Sequence, residues 1–167
     1  GIYSTIGLNI DDVLTSLYDG KSGIGFDQSR LDFGYQCGLA GSVPTPVLKG
    51  KLDRRMRVGL AEQGAYAFMA TEEALEMAKI DADYLEKNEV GILYGNDSSS
   101  KAVVESIDAL RAKKDTTRIG SGSIFQSMNS TITMNLSVIY KLKGINATIS
   151  GACASSSHAI GMAYIMI

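Results

Sequence analysis

The chain has 167 residues, 45% of them hydrophobic and 20% charged, with a formal net charge of −2. That length can bury a substantial core as one domain. The near-neutral balance argues against wholesale nucleic-acid binding, and no apolar run reaches the roughly 18 residues of a membrane span. Two cysteines, Cys37 and Cys153, allow one bridge at most, so reduced thiols in a cytoplasm fit better than a disulfide framework. One histidine and two distant cysteines make no zinc site, and no Walker motif is present. Gly120-Ser-Gly-Ser123 is a loop fragment rather than a dinucleotide fingerprint, so neither metal nor cofactor is expected.

Residues 10–19 read as a first helix, with Val13, Leu14 and Leu17 on one apolar face and Gly20 placed to stop it. Residues 23–46 are punctuated by Gly and Pro and predict loops and short strands. A long helical stretch is predicted over 52–80, where Ala67, Ala70, Ala74, Met77 and Ala78 form a seam of mostly small residues. Residues 89–95 read as a strand closed by Gly95. Lys101–Lys113 reads as an amphipathic surface helix through Val103, Ile107 and Leu110, and 114–122 as a polar loop. Met128, Ile132, Leu136 and Ile139 mark a mostly buried helix ending near Lys143-Gly144. A strand over 146–150 and a helix over 157–167 complete the chain. Strands alternating with helices give an α/β architecture, its sheet covered on both faces.

Between that last strand and helix lies Gly151-Ala152-Cys153-Ala154-Ser155-Ser156. A cysteine flanked only by small residues at a tight strand-to-helix turn is open to a substrate carbonyl. The helix start offers unsatisfied N–H groups and the positive end of a dipole. A buried structural cysteine would fit the same six residues. His158 lies five residues on, about 140° around a helix from Cys153, which makes it a structural, hydrogen-bonded residue rather than a base.

The segment Ser150-Gly-Ala-Cys153-Ala-Ser-Ser-Ser-His158-Ala-Ile-Gly161 resembles the active-site segment of the β-ketoacyl-acyl carrier protein synthases, closest to the synthase I/II type. Ser4-Thr-Ile-Gly7, Asp12-Val-Leu-Thr-Ser-Leu17, Gly20-Lys-Ser-Gly-Ile24, Asp53-Arg-Arg55, Tyr66-Ala-Phe68, Val90-Gly-Ile-Leu93 and Met128 extend the resemblance nearly end to end, in order. The resemblance implies a layered thiolase-like α/β fold, with residues 1–167 forming part of the N-terminal synthase domain. The chain opens at Gly1-Ile2-Tyr3 and stops within Ile165-Met166-Ile167 without a stop signal. A fragment is therefore expected, lacking the resembled enzyme's first strand and its second half.

The chemistry implied is transthioesterification onto Cys153 followed by Claisen condensation with malonyl-acyl carrier protein. Two histidines of the family's second half would assist decarboxylation, so the isolated fragment is expected to be inactive. Lys49, Lys51, Arg54, Arg55 and Arg57 form the densest basic cluster. They read either as a solvated helix start or as a docking surface for the acidic acyl carrier protein, and Arg55 falls on a basic position that the synthase I type uses for docking. Met128 matches a position lining the family's acyl pocket across the dimer interface; it would equally suit plain core. Gly95-Asn-Asp-Ser-Ser-Ser100 departs from the family's glycine-rich loop and leaves chain-length preference open. A homodimer is implied, with the 146–150 strand pairing with its twin. Polyketide ketosynthases, other thiolase-fold acyltransferases and non-catalytic ketosynthase partner subunits stay as alternatives, the last disfavoured because Cys153 is present.

Overall fold

The computed structural model describes residues 1–117 and 119–167, which fall into two compact units: Gly1–Pro46 with Tyr66–Lys79, and Val47–Ala65 with Ile80–Ile167. The expected 114–122 loop includes Arg118, which lies outside the described residues.

In the first unit, α1 (Ile10–Tyr18) starts where the Asn9 side chain accepts a hydrogen bond from the Asp12 N–H at 2.8 Å. It stops at Gly20, whose φ of +65° is the left-handed conformation the sequence predicts there. Of the expected apolar face only Val13 is buried, with Ser16 beside it; Leu14 and Leu17 are exposed. Residues 23–46 hold a short antiparallel pair, β1 (Gly25–Phe26) with β2 (Leu39–Ala40). They also hold a helix the sequence reading omits, α2 (Gln28–Phe33), capped by Asp27 and closed at Gly34. Tyr3 stacks on Tyr66 with ring centroids 5.7 Å apart. The Glu73 carboxylate accepts the N–H groups of Ile2 (2.7 Å) and Ile10 (2.6 Å). Those two bonds, Ile10 first, hold its carboxyl below the usual range.

The long helix expected over 52–80 is two helices, α3 (Arg54–Gly59) and α4 (Glu62–Ala78), separated by extended backbone at Leu60 (φ −73°, ψ 128°). A break of this kind strips backbone carbonyls of helical partners, and buried carbonyls need replacements. Side chains supply them: Gln126 Nε2 donates to the Val58 and Leu60 carbonyls (3.1 and 3.3 Å), and Asn135 Nδ2 to Gly59 (3.4 Å). Of the small-residue seam Ala67 is buried, beside Phe68, whereas Ala74, Met77 and Ala78 are exposed.

The second unit is built on β3 (Ile92–Gly95) and β4 (Asn146–Ile149), a parallel pair in register from Ile92↔Asn146 to Gly95↔Ile149. Parallel neighbours require a crossover; here it runs through α6 (Lys101–Lys113), α7 (Gly122–Ser127) and α8 (Thr131–Tyr140). A short helix before β3, α5 (Ala82–Lys87), is capped by Asp81 and was not expected. The helix expected from Met128 starts only at Thr131; Met128 is the extended C-cap of α7 (φ −73°, ψ 140°). α8 supplies the centre of the core, with Thr131, Ile132, Thr133 and Leu136 fully buried. The two threonines are admissible there because Thr133 Oγ1 bonds the Ser130 carbonyl (3.2 Å) and Thr148 Oγ1 on β4 (2.8 Å), while Thr131 meets Asn135. α8 and the last helix, α9 (Ser155–Met166), both pack on the β3–β4 pair. Among the described residues no helix is long and apolar enough to cross a membrane.

Candidate active site

Cys153 lies at the carboxyl end of β4, inside a single 3-10 turn (Ala152–Ala154) that runs directly into α9. The helical segment thus begins two to five residues earlier than the sequence pattern suggests, and the cysteine occupies its first turn. The thiol is free and exposed. A left-handed residue makes the turn possible: Ala152 has φ +48°, a conformation costing roughly 1–2 kcal/mol for a residue with a Cβ. The Ser155 hydroxyl closes the turn from within, accepting the Gly151 N–H (2.9 Å) and donating to the Ala152 carbonyl (2.7 Å).

From the neighbouring strand end comes Asp97, two residues beyond β3. Its Oδ1 accepts the Ala152 N–H at 3.0 Å and the Ser150 hydroxyl. The Ser150 hydroxyl and then the Ala152 N–H hold this carboxyl below the usual carboxylate range. The parallel register explains the meeting. Gly95 pairs with Ile149 and the Asn96 N–H donates to the Ile149 carbonyl (3.1 Å), so residues 97 and 151 leave the sheet side by side. Sequence inspection marks this loop only as a departure from a glycine-rich pattern and misses Asp97 as a contact of the Cys turn.

Gly95 admits the helix. A Cβ placed on it would lie 2.4 Å from the Ser155 carbonyl carbon and the Ser156 nitrogen, so the backbone of α9 rests directly on the strand. Among the described residues the Cys153 N–H meets no acceptor within the chain. His158 is exposed and lies over Gly151, its Nδ1 3.0 Å from where a Cβ would stand. Its ring makes no hydrogen bond among the described residues, in contrast to the hydrogen-bonded role expected of it.

The other expected positions lie elsewhere in the same unit. Arg54 and Arg55 are exposed on α3, and Arg57 turns back to donate from Nε to the Asp53 carbonyl at 3.3 Å. None of the three is in an ion pair among the described residues. Asp53 caps this helix, accepting the Met56 N–H at 2.8 Å. Met128, 40% exposed, sits at the α7–α8 junction. α3 packs on α7 and α8, so the arginine helix and the Met128 junction are neighbours, whereas the Cys153 turn packs on α9 and is tied to Asp97 beyond the end of β3.

Residues 1–167 match the family model described as Beta-ketoacyl synthase, N-terminal domain. The chain is 34% identical over its whole length to 3-oxoacyl-[acyl-carrier-protein] synthase 1 of Buchnera aphidicola (from Schizaphis graminum), covering 42% of that protein. It is 33% identical over 98% of its length to the Escherichia coli K12 protein of the same name, covering 40% of it. The chain therefore spans about two-fifths of the length of these curated relatives. The crystal structure of a β-ketoacyl synthase from Burkholderia phymatum superposes with a TM-score of 0.84 at 28% identity, over 98% of this chain and 40% of the other. A ketosynthase bound to the hexaketide, in complex with its type II PKS acyl-carrier protein, shares the fold at 18% identity (TM-score 0.76; 98% of this chain, 43% of that one). The chain therefore has the layered thiolase-like α/β fold of these synthases and belongs to the β-ketoacyl synthase family.

Proposed function

We propose that this chain carries the nucleophile of a 3-oxoacyl-acyl carrier protein synthase of fatty-acid synthesis, and that Cys153 is that nucleophile. The supporting observation is the exposed thiol in the first turn of a helix at the carboxyl end of a parallel strand, beside an N–H with no acceptor among the described residues. On this reading residues 1–167 are part of the N-terminal half of a synthase domain.

The first step is acyl transfer. Cys153 sulfur attacks the carbonyl carbon of an acyl thioester, the new C–S bond forms, and the carrier-protein thiol leaves with the proton. The Cys153 N–H, without an acceptor among the described residues, would donate to the oxyanion of the tetrahedral intermediate. In the second step malonyl-acyl carrier protein loses carbon dioxide to give an enolate. Its carbon attacks the acyl-Cys153 carbonyl, and Cys153 departs as the 3-oxoacyl thioester forms, two carbons longer. The single histidine of the chain, His158, lies over Gly151 and makes no hydrogen bond among the described residues. The groups that assist decarboxylation are therefore expected from outside these residues, and the 167-residue chain alone is expected to be inactive in condensation.

Arg54, Arg55 and Arg57, unpaired by any carboxylate among the described residues, suit docking of the acidic acyl carrier protein by steering and salt-sensitive contacts. Met128 would contribute to the acyl pocket across a homodimer in which β4 pairs with its twin. Both cysteines are unpaired, in keeping with a cytoplasmic enzyme.

The test is treatment of the protein from the complete open reading frame with cerulenin, a covalent ketosynthase inhibitor, followed by peptide mapping. An adduct on Cys153 that disappears in Cys153→Ala supports the assignment. A clean Cys153 in folded protein would point instead to a non-catalytic partner subunit.

A further inference from the structure

Cys153 does not present itself unaided. The residue before it, Ala152, is held in left-handed backbone, a conformation that persists only where the surroundings enforce it. Two side chains grip this turn. Ser155, buried, ties Gly151 to Ala152 from the helix side. Asp97, exposed and reaching across from the end of β3, takes the Ala152 N–H (3.0 Å) and the Ser150 hydroxyl on one carboxylate oxygen. Ser150 and Ala152 flank Gly151, so one oxygen spans the whole bend between β4 and the cysteine. Ser155 belongs to the helix and moves with it; Asp97 belongs to another strand and fixes the bend to the sheet.

We infer that Asp97 is the positioning residue for Cys153: it anchors the 150–152 bend to the end of β3 and thereby sets where the sulfur stands. This rests on Cys153 being the acyl acceptor. Asp97 touches no reacting atom. Its effect is on the geometry of attack, where misplacement by an ångström is felt strongly in rate.

The three substitutions that separate the possibilities are Asp97→Ala, Asp97→Asn and Asp97→Ala combined with Ala152→Gly. Asparagine keeps an oxygen that can accept the Ala152 N–H, so it retains most of the function. Glycine at 152 adopts the left-handed conformation without a Cβ penalty, so it restores part of what alanine at 97 removes. The protein from the complete open reading frame is mixed with octanoyl-acyl carrier protein, and acylation of Cys153 is followed by intact-protein mass spectrometry. Alkylation by iodoacetamide is measured in parallel as a probe that needs no acyl-transfer activity.

The expected result is a fall of about tenfold in the maximal acylation rate of Asp97→Ala, the half-saturating thioester concentration little changed. Asp97→Asn should stay within about threefold of the parent, and the double variant should recover toward it. A parent-like rate in Asp97→Ala overturns the inference, as does a loss in Asp97→Asn equal to that in Asp97→Ala. A double variant no better than Asp97→Ala also counts against it, because the left-handed turn would then not be what Asp97 holds. If Asp97→Ala fails to fold, Ser150→Ala takes its place, with an intermediate loss expected and a parent-like rate overturning the inference. If the parent itself takes no octanoyl group yet is alkylated at Cys153, the synthase reading fails on its own. The iodoacetamide rates then decide the positioning role by the same ranking of variants.

Discussion

Replacing Gly95 with alanine tests how the helix that follows the Cys153 turn is seated. The added Cβ would lie 2.4 Å from the Ser155 carbonyl carbon and the Ser156 nitrogen and 2.5 Å from the Ser156 Cα. All three are backbone atoms, so no side chain can turn aside. Ordinary contact begins near 3.4 Å, and α9 must therefore retreat from β3 by about 1 Å or the strand must buckle by as much. Overpacking of this kind costs about 1–3 kcal/mol. Because Cys153 rides on the turn that opens α9, the same displacement should lower its reactivity, by up to about 10²-fold if it is felt fully at the sulfur. Urea denaturation of the protein from the complete open reading frame gives the first quantity, and iodoacetamide alkylation of Cys153, read by peptide mass spectrometry, gives the second. An unchanged midpoint together with an unchanged alkylation rate would refute the packing of α9 on β3.

Thr133→Val removes the partner of the Thr148 hydroxyl inside the α8–β4 contact and should destabilise by about 1–3 kcal/mol, measured by the same denaturation. Arg54→Glu with Arg55→Glu should raise the Kd for acyl carrier protein and flatten its dependence on salt, read by titration calorimetry at two ionic strengths; unchanged binding would remove α3 from the docking surface. The Glu73 carboxyl is held below its usual range by the Ile10 and Ile2 N–H groups, so it stabilises the fold at neutral pH. That contribution is lost as pH falls from the usual carboxylate value through the lowered one. Glu73→Gln should thus lower the melting temperature at pH 7 and differ little from the parent once both are acidified below that window. Ile149→Glu should dissociate a homodimer built on β4; a dimer that persists in size-exclusion chromatography would exclude that strand from the interface.

The strand, the Cys turn and the following helix are legible in sequence because each is fixed locally. A short apolar run, a set of small residues and an apolar helix leave little choice, and only the helix start is misplaced. α1 is equally local, through Asn9 and Gly20, yet its apolar face is not: Leu14 and Leu17 lie on the expected side and stay exposed while Ser16 is buried. The break at Leu60 escapes sequence reading because the groups that satisfy its carbonyls, Gln126 and Asn135, are more than sixty residues away. Met128 is misjudged for a related reason. Its 3-4 spacing with Ile132 and Leu136 continues across the α7–α8 junction, where the backbone is extended. Asp27–Gly34 and Asp81 do carry cap signals for α2 and α5, overlooked because six-residue helices show no clear period. Asp97 is invisible until the parallel register brings the ends of β3 and β4 together.

The most direct measurement is transfer of a labelled acyl group from acyl carrier protein to the protein from the complete open reading frame, with the modified peptide sequenced. A thioester on Cys153, released by hydroxylamine and absent from Cys153→Ala, is the expected result. Acyl label that persists in Cys153→Ala, or none on folded protein offered acyl-acyl carrier protein, would contradict the assignment of Cys153 as the nucleophile.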